Sequence, residues 1–193
     1  LPEVGSTIGR YRIISELGRG AMGIVLRARH EDLDRDVAIK VLQPGLGLST
    51  TALGRFVREA KAIARLNHAG IISLHDVGQE RGLNYYVMEF VPGQDLRVLS
   101  KNERLAYREA ARIVGCCADA LDHAHGMGIL HRDIKPANIL INERREPVLT
   151  DFGLARVDEG ASLTADGALL GTPAYMPPEQ AEGTRVTRQA DIY

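Results

Sequence analysis

Three short runs rich in β-branched and apolar residues, at 11–17, 24–29 and 37–42, are separated by glycine-rich or charged turns and predict an antiparallel meander. A linker containing Pro44 and Gly45 (43–48) leads to Ser49, Thr50 and Thr51, hydroxyl residues suited to cap a helix running to about residue 66. Two more strands are expected near 72–77 and 83–89. This part of the chain therefore predicts a small lobe of five strands and one helix. Val91-Pro92-Gly93 breaks the last strand, and the character turns helical beyond it, so the domain boundary is placed there.

In the second part, Ala106, Ala110, Ile113, Cys117, Ala120, Leu121 and Ala124 recur at helical spacing. They predict one long core helix over 102–125, ended by Gly126 and Gly128. Ile139-Leu140-Ile141 and Val148-Leu149-Thr150 read as a hairpin about the polar turn 142–147. Residues 157–170 carry Gly, Asp, Ser and Thr without periodicity and read as a mobile surface loop.

Composition narrows the class. With 193 residues and 45% hydrophobic content, the chain suits one good-sized core or two small lobes. Its net charge of −1 gives no whole-chain field for nucleic acid. Cys116 and Cys117 are neighbours on a helical stretch, their side chains about 100° apart, so reduced, buried thiols and a cytoplasmic setting are expected. No run approaches the roughly 18 apolar residues of a membrane helix, and residues 1–10 lack the build of a signal peptide. A membrane anchor elsewhere in a full-length parent stays open.

Candidate chemistry is concentrated in a few segments. Gly18-Arg19-Gly20-Ala21-Met22-Gly23 is a G-x-G-x-x-G, which fits either a dinucleotide-binding turn or a flap over phosphates. The first reading needs a helix after the third glycine, but Ile24-Val25-Leu26 continues as a strand. A plain hairpin turn would need fewer glycines. Val37-Ala38-Ile39-Lys40 puts an ammonium on an apolar strand, and Lys40 is one of only four lysines against twenty arginines. On the helix at 49–66, Glu59 lies three residues after Phe56 and four before Ile63, so it shares their apolar face and calls for a cation. His131-Arg132-Asp133-Ile134-Lys135-Pro136-Ala137-Asn138, followed after the hairpin by Asp151-Phe152-Gly153, sets two carboxylates, an ammonium and an amide at fixed offsets. Such a set suits a divalent cation and phosphate gathered round a proton acceptor. The six histidines do not suggest a zinc site, because His123 and His125 are two apart on a helix and share no face.

These motifs together resemble the catalytic core of the protein kinase family, over about residues 10–193. The resemblance implies an α+β, two-lobed fold: a small antiparallel β lobe with one helix (10–91), after an N-terminal extension (1–9), and a larger, mostly helical lobe (92–193), here incomplete. It implies transfer of the γ-phosphoryl of ATP to protein Ser or Thr hydroxyls, with autophosphorylation in the activation loop. Asp133 is then the base, Lys135 the γ-phosphate contact, and Asn138 and Asp151 the ligands of Mg²⁺, with Mn²⁺ as an alternative. Lys40 pairs with Glu59 and holds the α- and β-phosphates under the glycine flap Gly18, Gly20 and Gly23. Adenine lies among Leu17, Val25, Ala38 and Leu140, bonded to the backbone of Glu89 and Val91 and backed by Met88, with Asp95 toward the ribose. Arg132, Ser162, Thr164 and Thr172 are the expected activation and substrate-side residues. Lys135 resembles the serine/threonine-directed branch, and the wording around Pro177-Pro178-Glu179 looks bacterial, although the family has Ala at the first of these positions. The expected partners are ATP and Ser/Thr-bearing proteins, with no nucleic acid, no membrane segment in this stretch, and oligomeric state open. A pseudokinase would ordinarily lack one of Lys40, Asp133, Asn138 or Asp151, and a small-molecule phosphotransferase typically lacks an activation segment like 171–179. In the family, Asp191 begins a buried helix beneath the catalytic loop and further helices follow, so this stretch alone is expected to be weakly active or inactive.

Overall fold

The β-branched runs of the first part pair into one antiparallel sheet of order β1-β2-β3-β4-β6-β5. Its strands are β1 (Thr7–Ile8), β2 (Tyr11–Gly20), β3 (Gly23–His30), β4 (Arg35–Leu42), β5 (Leu74–Glu80) and β6 (Leu83–Glu89), with helix α1 (Thr50–Ile63) after β4. This computed structural model describes residues 2–20, 23–42, 50–152 and 173–193. The linker 43–48, Ser49 and the loop 157–170 lie outside the described residues. The chain forms two units, Leu1–Ala64 with Ser73–Val91, and Arg65–Ile72 with Pro92–Tyr193.

Six strands form where five were expected. The extra one, β1, is two residues long, too short to show a period, yet Ile8 is buried beside Tyr11 in the core. Alternation does the main work in this unit. Ile13, Ile24, Leu26, Ala28, Val37, Ile39, Val41, Tyr85 and Val87 share one apolar cluster on one face of the sheet. The intervening residues of β3, β4 and β6 face the other way. β5 runs three residues further than its expected end, to Glu80, because Arg81 (φ 50) and Gly82 (φ 77) close a tight hairpin onto β6 and so extend the pairing. Ile71 and Ile72 leave this sheet: Ile72 N–H donates to Leu149 O at 2.9 Å in the other unit's own ladder.

The second unit holds α2 (Leu96–Asn102), α3 (Tyr107–Gly126), α4 (Pro178–Ala181) and a sheet of β7 (Gly93–Asp95), β8 (Ile139–Asn142) and β9 (Pro147–Leu149). The single helix expected over 102–125 is thus two. Asp95 caps α2 by accepting Val98 N–H at 2.9 Å, extended backbone at Glu103 ends it, and α3 begins after Ala106, its N-cap. Ile113, Cys117, Ala120, Leu121 and Ala124 form the buried stripe of α3, whereas Tyr107 and Val114 are exposed. Cys117 is buried as expected. Cys116, about 100° round the helix, is exposed, and both thiols are free.

Gly93, expected only as a breaker, is instead the first residue of β7, opposite Asn142. Its φ is +149, and a Cβ there would stand 2.1 Å from Ile141 O, so only glycine lets the two backbones meet. Asn142 closes the β8–β9 turn, its Oδ1 accepting the N–H groups of Arg144 and Glu146, both at 2.9 Å.

Candidate active site

In the first unit the register of three strands gathers the residues assigned to nucleotide. Val25 stands opposite Lys40, Lys40 opposite Tyr86, and Ala38 opposite Met88. They lie on the sheet face away from the Ile39–Val87 core. Lys40 is only 8% exposed, so this is not the solvent-facing edge charge that a lone strand lysine usually is. On α1, Glu59 is half-buried beside the fully buried Ala60. Leu17 is exposed, Gly18 pairs with Val25, and Gly20 pairs with Gly23 at the base of the glycine loop. Its tip, Ala21 and Met22, lies outside the described residues. The three glycines differ. At Gly23, with φ +144, a Cβ would meet Val41 O at 2.0 Å, whereas around Gly18 and Gly20 there is open space. Glu89 N–H donates to Ser73 O at 2.9 Å, and Val91 is half-buried just past the strand.

The second unit builds the polar cluster. Lys135-Pro136-Ala137-Asn138 folds into a 3₁₀ turn, with Asn138 N–H donating to Lys135 O at 2.9 Å. That turn brings Lys135 Nζ to 2.7 Å from Asp133 Oδ2, and Asn138 Nδ2 to 2.8 Å from the same oxygen and from Asp133 O. Both bonds to the Asp133 carboxylate fall on Oδ2. Asn138 is buried, and both its side-chain bonds use Nδ2, which presents Oδ1 as the oxygen free to ligate. Thr150 N–H donates to Asn138 O at 3.0 Å and so fixes the strand end that carries Asp151, itself half-buried with φ +62.

His131, at the head of the motif, was given no role from sequence. It is fully buried, its ring 4.5 Å from that of Phe152. Nδ1 accepts Asp133 N–H at 3.3 Å, so Nε2 carries the proton and donates to Thr150 O at 3.0 Å. Burial pushes its pKa down, which keeps this neutral tautomer. His131 therefore ties the Asp133 loop to the stretch preceding Asp151. Its sequence neighbours, apolar Ile129 and Leu130 before it and charged Arg132 and Asp133 after it, carry no signal of that burial.

Below the loop, Asp191 Oδ2 accepts His131 N–H at 2.8 Å and Oδ1 accepts Arg132 N–H at 2.6 Å. His125 Nε2 lies 2.7 Å from the same carboxylate. Asp191 ends a 3₁₀ turn, Arg188–Asp191, where the family resemblance implied the start of a helix. Arg132 is half-buried with φ +64. Asp95, assigned to ribose, already bonds Val98 N–H through Oδ1 and Arg97 through Oδ2 at 3.2 Å, so its visible work is capping. Leu140 is half-buried in β8, opposite Asp95 and Val148. Gly153, Ser162, Thr164 and Thr172 lie outside the described residues. Pro177 precedes α4 as its N-cap, with Pro178 at the first helical position, where a missing N–H costs nothing.

The protein kinase domain family model matches residues 11–193. The serine/threonine-protein kinase pkn3 of Myxococcus xanthus is 45% identical over 201 residues, covering 98% of this chain and 37% of that protein. The serine/threonine-protein kinase PknA of Mycobacterium tuberculosis is 40% identical over 199 residues, covering 100% of this chain and 46% of that protein. The chain thus spans less than half the length of these curated relatives. The crystal structure of the M. tuberculosis PknI kinase domain superposes with a TM-score of 0.81 at 32% identity, over 100% of this chain and 72% of that one.

Proposed function

The chain belongs to the protein kinase family, whose members use ATP and a divalent metal, and we propose that it serves as the catalytic part of a serine/threonine protein kinase. The observation that carries this reading is the convergence of Lys135 and Asn138 on one oxygen of Asp133. Two donors hold that carboxylate in a fixed orientation, and its Oδ1 accepts the proton of a substrate hydroxyl. The hydroxyl oxygen forms a bond to the γ-phosphorus of ATP, the bond to the β–γ bridging oxygen breaks, and ADP leaves. Lys135 offsets charge on the transferring group. In the first unit, Lys40 holds the α- and β-phosphates and pairs with Glu59. Gly18, Gly20 and Gly23 bring backbone N–H groups to the phosphates. Leu17, Val25, Ala38 and Met88 contact adenine, and the backbone of Glu89 and Val91 bonds its edge.

The donor set fits a hard cation: Asn138 offers Oδ1 and Asp151 a carboxylate, two oxygens of the kind Mg²⁺ takes while keeping several waters. Bound there, Mg²⁺ would neutralise phosphate charge. Direction toward Ser and Thr rests on Lys135 and on relatives named serine/threonine kinases. Arg132 receives a phosphate placed on Ser162 or Thr164, Thr172 serves the substrate side, and this chemistry takes place in the cytoplasm. No helix among the described residues is long and apolar enough to cross a membrane.

The test is radiolabelled ATP with the protein and its Asp133→Asn variant, on a protein substrate and on itself. Loss of labelling by about 100-fold or more in the variant, with Mg-ATP binding retained, is expected. Equal labelling of the two proteins would sink the assignment.

A further inference from the structure

Phe90 and Val91 lie past the end of β6, beyond the ladder that fixes Glu89. A side chain of the sheet reaches this stretch. The guanidinium of Arg27, on β3, stacks over the Phe90 ring with its carbon 4.7 Å from the ring centroid. Arg27 is itself fixed from the other side. Its Nε donates to Asp36 Oδ2 at 2.9 Å and its NH2 to the same oxygen, while Asp36 Oδ1 receives Arg29 NH1 at 2.6 Å. The two arginines hold the Asp36 carboxyl below the ordinary range, so the anchor stays charged. Arg27 stands opposite Ala38, which stands opposite Met88, so it occupies the same face as the residues assigned to adenine.

We propose that Arg27 is a positioning residue for nucleotide binding, clamping Phe90 and thereby the 89–91 backbone that bonds the adenine edge. This rests on the kinase reading above. Lysine could not replace it, because the contact needs a planar cation that stacks on one face while its edge bonds a carboxylate. The clamp acts on the base and not on the phosphates, which gives it a distinct signature.

The experiment measures adenosine and Mg-ATP affinity, together with kcat and KM for ATP, in the protein and in Arg27→Ala, Arg27→Lys, Phe90→Leu and the Arg27→Ala/Phe90→Leu double variant. Each single variant is expected to weaken adenosine and Mg-ATP by the same factor, roughly three- to ten-fold, with kcat changed less than about two-fold. The double variant is expected to be no weaker than the worse single one, since the two changes remove one interaction. Full adenosine affinity in Arg27→Ala or Phe90→Leu would overturn the proposal. So would a loss confined to Mg-ATP, additive effects in the double variant, or full rescue by Arg27→Lys. If Arg27→Ala does not fold, Phe90→Leu decides alone by the same measure. A wild-type protein that binds neither ligand refutes the kinase reading and this proposal with it, whereas normal wild-type binding beside unaltered variants refutes only the clamp.

Discussion

The carboxylate of Asp191 receives the backbone N–H groups of His131 and Arg132 at 2.8 and 2.6 Å, although 60 and 59 residues separate them in sequence. Its side chain is fully buried and also meets His125. The loop that presents Asp133 is therefore hung by its backbone from one anion, at a point where Arg132 adopts φ +64. A non-glycine residue keeps that conformation only where its surroundings hold it there.

Asp191→Ala should consequently leave two N–H groups without their acceptor and cost about 3 kcal/mol of stability, with phosphoryl transfer lost alongside. Asp191→Asn keeps one acceptor oxygen and should cost less. Urea unfolding of the two variants checks this order, and a loss below about 1 kcal/mol in Asp191→Ala would contradict it.

The three glycines of the loop differ in what an added side chain would meet. Gly23→Ala would set a Cβ 2.0 Å from Val41 O and should destabilise the first unit by about 2–3 kcal/mol. Gly18→Ala and Gly20→Ala meet open space, so stability should change by less than about 0.5 kcal/mol. For these two, KM for ATP should instead rise by roughly ten-fold, as close backbone approach to phosphate is lost. Thermal unfolding and steady-state kinetics on the three variants separate the cases.

Lys40→Met keeps a flexible side chain of similar length on β4 but removes the charge. Phosphoryl transfer should fall by about 100-fold or more, with little change in melting temperature. Retained activity would place the phosphate contact elsewhere.

On α3, burial pushes the Cys117 thiol up from an ordinary value near 9 to about 11, with the neighbouring Cys116 adding to the shift. The folded state thus favours the neutral thiol. Its contribution is fully present below pH 9 and is lost as pH rises from about 9 through about 11. Cys117→Ala should flatten that alkaline limb of the stability curve. Iodoacetamide on the native protein should label the exposed Cys116 first, with Cys117 reacting only on unfolding.

β3, β4 and β6 were legible in the sequence, because short β-branched, apolar runs bounded by glycine-rich or charged turns declare themselves over a few residues. That Glu59 shares a helical face with Ile63 was legible from their spacing of four. What escaped were features set by distant partners. β1 is two residues held by pairing with Tyr11 and Arg12, and β7 exists because Gly93 can approach Ile141 closely. The break between α2 and α3 depends on Glu103 and Ala106 adopting extended cap conformations that a run of helix formers conceals. In the site, the motif named Asp133, Lys135 and Asn138, but not that they share one carboxylate oxygen, nor that His131 ties them to Thr150. Those contacts belong to folded geometry, which spacing alone does not encode.

On β4, Val37, Ile39 and Val41 feed the apolar cluster while Ala38 and Lys40 face away from it. A one-residue slip in the pairing of this strand would exchange the two sets, driving an ammonium into the core and stranding Ile39 and Val41 outside. Folding itself therefore proofreads the placement of the lysine proposed to hold phosphate: a chain that misplaces it forfeits its core and does not survive as a stable, inactive imitation.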